Sequence, residues 1–119
     1  MKNSLCILMR HAPYGQIHDA EALRHMGGAL AEKMDTCAVL MDDGVYAACD
    51  GHDTTATPWT ALSPLWAQHL AKGARLYVHA PSAQARGLLA AERLVAGAQW
   101  IEDDALARLL VDCETVMVY

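Results

Sequence analysis

The chain has 119 residues, 54% of them apolar, and a formal net charge of −5. That is the length of one domain, with enough apolar side chain to build a core without disulfides or a structural metal. The acidic balance argues against nucleic acid as a partner, because nucleic acid selects basic patches. No apolar run approaches the roughly 20 residues of a membrane-spanning helix.

The chain opens Met1-Lys2-Asn3-Ser4-Leu5 and soon reaches Arg10-His11. It shows neither the longer apolar region nor the small-residue cleavage site of a signal peptide, so a cytoplasmic protein is expected. Leu5 to Met9 is a continuous apolar run, which predicts a strand covered on both faces. A loop from Arg10 to His18 carries Pro13-Tyr14-Gly15. A helix follows from Asp19 to Met34, with Leu23, Met26, Leu30 and Met34 on one face. Gly27-Gly28 inside it costs about 1 kcal/mol per residue relative to Ala. Close packing against the sheet is the expected reason for accepting that cost.

The second strand is Ala38 to Met41, and it ends in Asp42-Asp43-Gly44. A short helix is expected from Gly44 to Cys49, then a polar loop from Asp50 to Thr57. Ser63 is expected to cap the next helix, with Pro64 in its first turn. Leu65, Trp66, His69 and Leu70 follow at helical spacing, and Gly73 stops it. Arg75 to His79 is the third strand, and Ser82 opens a helix of about two turns. Ala98 to Ile101 is the fourth strand. Glu102-Asp103-Asp104 place negative charge at a helix N-terminus, and that helix runs through Leu106, Leu109 and Leu110. Val116 to Val118 is the fifth strand. Strands alternating with helices predict an α/β domain over 1–119, a parallel sheet with helices on both faces.

Ligands bind such sheets at the carboxyl ends of the strands. Three loops fall there: Arg10 to Gly15, Asp42 to Tyr46, and His79 to Leu88. They bring together cations, carboxylates, tyrosines and one hydroxyl. Neither a Gly-x-Gly-x-x-Gly nor a P-loop is present. The bland role of Asp42-Asp43-Gly44 is a turn and helix cap. His11 and His79 each follow a strand and are placed to approach one another. The four cysteines, Cys6, Cys37, Cys49 and Cys113, make no Cys-x-x-Cys. Cys6, Cys37 and Cys113 lie in or beside apolar runs and read as small core hydrophobes. No metal and no cofactor are expected.

Ser82 is expected to cap its helix, among open backbone N–H groups. Arg86 lies one turn further on the same face, so the pair reads as an anion-favouring pocket. A cysteine at position 82 would be driven toward thiolate there. The residue is serine, with no second base close in sequence and no Gly-x-Ser-x-Gly elbow around it.

Taken in order, these segments resemble the DsrE/DsrF-like family of small sulfur-relay proteins. The carriers of the resemblance are Pro13-Tyr14-Gly15 with Glu21-Ala22-Leu23-Arg24, Asp43-Gly44-Val45-Tyr46-Ala47-Ala48, Lys72-Gly73-Ala74-Arg75-Leu76-Tyr77-Val78, Ala85-Arg86-Gly87-Leu88, and the closing acidic helix and strand. Pro-Tyr-Gly with Asp-Gly-Val-Tyr looks most like the DsrF/TusC branch. The resemblance implies a three-layer α/β/α sandwich with a five-stranded parallel sheet. It also implies a homo- or hetero-oligomer with DsrE-like subunits, as dimer, trimer or hexamer. Sulfur-carrying members hold a persulfide on a cysteine before the Ala-Arg-Gly stretch, and by register that position here is Ser82. A partner subunit that carries no sulfur is therefore expected, with Cys49 as the remaining thiol to consider. The alternative is a small anion- or nucleotide-binding module using Arg10, Tyr14, Asp43 and Arg86. A third arrangement makes Ser82 a nucleophile with His79 or His11 as its base.

Overall fold

The computed structural model describes residues 3–88 and 94–119. Its elements in chain order are β1 (Ser4–Met9), α1 (His18–Ala31), β2 (Asp35–Leu40), a 3-10 helix (Asp42–Ala48), α2 (Ser63–Ala71), β3 (Arg75–His79), α3 (Ala80–Ala85), β4 (Ala98–Ile101), α4 (Asp103–Asp112) and β5 (Thr115–Val118). Among the described residues the strands form one five-stranded sheet in the order β4-β3-β2-β1-β5. Every neighbouring pair is parallel. The carboxyl ends of β1, β2 and β3 therefore share one rim, as the apolar runs and intervening helices imply.

All six residues of β1 are buried. Successive strand side chains point to opposite faces, and the core divides accordingly. Ile7, Met9, Ala38, Leu40, Leu76 and Val78 pack beneath α1 and α2, against Leu23, Met26 and Trp66. Cys6, Leu8, Cys37 and Val39 face the other way and meet Ile101, Leu106 and Cys113 around α4. The first layer is the larger. Each fully buried Leu, Ile or Met contributes about 1.5–3 kcal/mol relative to exposure. Trp66 is fully buried, and its indole N–H donates to the Ala47 carbonyl at 2.9 Å. The edge strand β5 is exposed along its length.

Three local expectations change. The Gly27 backbone packs close, but against α2 rather than the sheet: a Cβ there would stand 3.3 Å from Cε1 of His69, whereas one on Gly28 would meet nothing within 4 Å. His69 Nε2 donates across the same contact to the Leu23 carbonyl at 2.8 Å. Ser63 is the first residue of α2 rather than its cap, and Leu62 holds the cap position. Ser82 is likewise the third residue of the six-residue α3, with His79 as its N-cap. Its hydroxyl meets the ring of the N-cap residue His79 and the Asp42 N–H rather than an open N–H of its own helix.

Gly44 explains the shape of the rim. A Cβ at this position would lie 2.1 Å from the Met9 carbonyl oxygen, so only glycine lets the 3-10 helix press onto the end of β1.

Candidate functional site

At the rim, β1, β2 and β3 deliver Arg10, Asp42 with Asp43, and His79. Asp42 has a φ of 52°, a left-handed conformation that aspartate tolerates better than most residues. Its N–H donates to Ser82 Oγ at 2.9 Å. Ser82 Oγ also lies 2.6 Å from Nδ1 of His79. Nε2 of His79 lies 2.6 Å from Oδ1 of Asp103, the first residue of α4. A carboxylate only accepts, so in the neutral imidazole Nε2 carries the ring proton toward Asp103 and Nδ1 accepts from the serine hydroxyl. The row then runs Asp42 N–H to Ser82, Ser82 O–H to His79, His79 N–H to Asp103, with every group satisfied. Ser82 is 7% exposed and His79 8%.

The two arginines at the rim are paired. Arg10 Nε donates to Asp42 Oδ2 at 2.8 Å. Arg86 Nε donates to Asp43 Oδ1 at 3.0 Å, and its NH1 donates to the Ser82 carbonyl at 3.1 Å. Arg86 thus joins the loop after β2 to α3. Tyr14 leaves this group. Its hydroxyl lies 3.0 Å from Nδ1 of His52 and accepts the Leu62 N–H at 3.3 Å. Burial pushes the Tyr14 hydroxyl pKa up, and the Leu62 N–H opposes that shift. His11 does not reach His79: it stacks on His18, with ring centroids 4.0 Å apart. Both line a cavity of about 400 Å³ with Arg10, Asp42, Val118 and Tyr119.

Cys49 sits at the end of the 3-10 helix, is 7% exposed, and belongs to the larger core layer. It is packed as a small core hydrophobe rather than presented as a surface thiol. None of the four cysteines is in a disulfide.

A profile of the DsrE/DsrF-like family matches residues 3–119. The chain belongs to that family. Intracellular sulfur oxidation protein DsrF of Allochromatium vinosum is 39% identical to this DsrE/DsrF-like chain over 83 residues, covering 68% of the chain and 60% of that protein. The chain therefore aligns with less than two thirds of that relative's length. The crystal structure of YchN from E. coli matches with a TM-score of 0.85 at 21% identity, over 98% of both chains. This last likeness is one of fold. Among the described residues, no helix is long and apolar enough to cross a membrane.

Two acidic residues hold places that were not foreseen, Asp103 at the rim and Asp19 in α1. Asp103 reads in sequence only as an acid placed for the α4 dipole. Nothing local connects it with His79, 24 positions earlier. Asp19, in the first turn of α1, is fully buried, and neither of its carboxylate oxygens has a hydrogen-bond partner among the described residues. Burial pushes its pKa up to about 7. An acid in a first helical turn normally reads as exposed and favourable, so sequence carries no signal for this one.

Proposed function

We propose that the chain is a non-carrier partner subunit of a cytoplasmic sulfur-relay assembly built from DsrE/DsrF-like chains. The observation that carries this reading is the state of Ser82. It stands, by the family register, where sulfur-carrying members hold cysteine, and its hydroxyl is buried and engaged with both Asp42 and His79. A hydroxyl does not hold sulfane sulfur as a thiolate does. Cys49 is buried in the core, which removes the next thiol from the surface. Exposed apolar side chains at both sheet edges, Trp100 on β4 and Met117 and Val118 on β5, support contact with other subunits.

Native mass measurement tests this reading, alone and with a cysteine-bearing DsrE-like chain. A complex is expected; a strict monomer that binds no such partner overturns the reading. In a second arm, wild type and Ser82→Cys are exposed to a sulfane sulfur donor. Wild type should take up none, and Ser82→Cys should take up one atom per chain if the register is right. Sulfur loaded onto Cys49 of the wild type would refute the non-carrier role.

The Ser82–His79–Asp103 row favours a second reading, a serine nucleophile with His79 as base. Against it, the Asp42 N–H is aimed at the serine oxygen itself rather than at a developing oxyanion. Modification of Ser82 by a fluorophosphonate would establish that reading. The small-anion module has less support, because Asp42 and Asp43 already neutralise Arg10 and Arg86.

A further inference from the structure

The face of the sheet opposite α1 and α2 holds a group of thiols that the rim chemistry does not use. Cys6 and Cys37 are direct partners across β1 and β2, so their side chains leave the sheet on the same face. Cys113 closes over them from the end of α4. The three sulfurs all lie within 4.8 Å of one another. Cys6 and Cys37 are fully buried, and Cys113 is 9% exposed.

We propose that Cys6, Cys37 and Cys113 form a buried thiolate site for a soft d10 metal ion, with Cu(I) the ion that it fits.

Thiolate sulfur is the donor that selects Cu(I) over harder cations. An equilateral triangle with the 4.8 Å limit as its side puts each sulfur about 2.8 Å from the centre. Each then has at most about 0.5 Å to close to reach a metal–thiolate bond of roughly 2.3 Å. Core side chains make such movements by small χ1 adjustments. Zinc in a structural site takes four donors in a tetrahedron. Among the described residues no fourth His, Cys, Asp or Glu joins this group. Three sulfurs in an apolar layer match a three-coordinate monovalent ion instead.

The charge balance points the same way. Two thiolates, one thiol and Cu(I) carry one net negative charge. The Arg75 guanidinium acts electrostatically on both Cys37 and Cys113, but it is paired with Asp35 at 3.0 Å and offsets that charge only in part. Binding displaces one proton to solvent for each thiol that becomes thiolate. Copper stays in the +1 state, and no electron moves. Cys113 lies at the margin of the layer, between the exposed Asp112 and Glu114, and gives the ion its way in.

The test is anaerobic titration of the reduced full chain with Cu(I) against a chromogenic Cu(I) chelator, and separately with Zn(II). One Cu(I) per chain is expected. X-ray absorption should show only sulfur neighbours, at roughly 2.3 Å. Cys37→Ser and Cys113→Ala should each weaken binding by about 100-fold or more, since losing a first ligand costs at least as much as losing a supporting group. In the wild type, bound copper should raise Tm and protect Cys113 from alkylation, so the proposal stays testable if either variant fails to fold. Uptake undiminished in the folded variants, nitrogen or oxygen neighbours at the ion, tighter binding of Zn(II), or no protection of Cys113 overturns it.

Discussion

Replacing Asp19 with asparagine should stabilise this fold at pH 8 and do almost nothing at pH 4. Asp19 is fully buried, and neither carboxylate oxygen has a partner among the described residues. Burial moves its pKa from 3.8 to about 7. The native state therefore holds the proton more tightly than the unfolded chain does. Below the unfolded pKa both states are protonated, and the group contributes no penalty. As pH rises from about 4 to about 7, the unfolded chain releases its proton first, and stability falls. Above pH 7 the full penalty is present. A shift of about 3 pKa units corresponds to about 4 kcal/mol. Asparagine keeps the shape and carries no charge, so it escapes the titration. Urea unfolding of both proteins, at one fixed protein concentration because assembly adds its own stability, gives the difference directly. Other carboxylates titrate equally in both proteins and cancel. The variant should match wild type near pH 4 and exceed it by up to about 4 kcal/mol at pH 8. For 119 residues that is roughly 4 °C of Tm per kcal/mol. A difference that does not change with pH, or an asparagine variant weaker at pH 8, would refute the reasoning.

Gly44→Ala should lose about 3 kcal/mol or more in urea unfolding, because its Cβ would lie 2.1 Å from the Met9 carbonyl oxygen and the backbone must move. Wild-type stability after this change would show that the 3-10 helix does not press on β1. Ser82→Ala leaves the Asp42 N–H and His79 Nδ1 without their shared partner and should cost about 1–3 kcal/mol. A neutral result would mean that the Ser82–His79 contact is not formed. Cys49 should label with iodoacetamide at neutral pH no faster than Cys6 or Cys113 in the native protein, and all four thiols should react promptly in urea. A fast native Cys49 would reopen its candidacy as a sulfur carrier.

The strands were legible because each announces itself locally. β3 and β4 fall where the sequence places them, at Arg75–His79 and Ala98–Ile101. β1 and β5 each begin one residue earlier than read, at Ser4 and Thr115. β2 begins earlier still, at Asp35, since pairing with β1 extends past the apolar run. The helix of Ser82 was misjudged because a serine near a helix start reads as a cap, whereas its hydroxyl bonds to Asp42 and His79. At the candidate site, the convergence of Arg10, Asp42, Asp43, Ser82 and Arg86 was readable from the parallel topology. The departure of Tyr14 toward His52 and the arrival of Asp103 at His79 were not.

The apolar run lengths, the turn residues and the helical spacing by themselves determined an alternating order of strands and helices, and with it a parallel sheet that gathers three loops at one rim. These are short-range properties, since a continuous apolar strand has to be covered on both faces wherever it lies. Only the tertiary structure decided which side chains meet: Ser82 with His79 and Asp103, Cys6 beside Cys37 under Cys113, and Asp19 sealed without a partner. Those meetings depend on the strand order and register, which the whole chain sets through packing. No window of neighbouring residues contains that information.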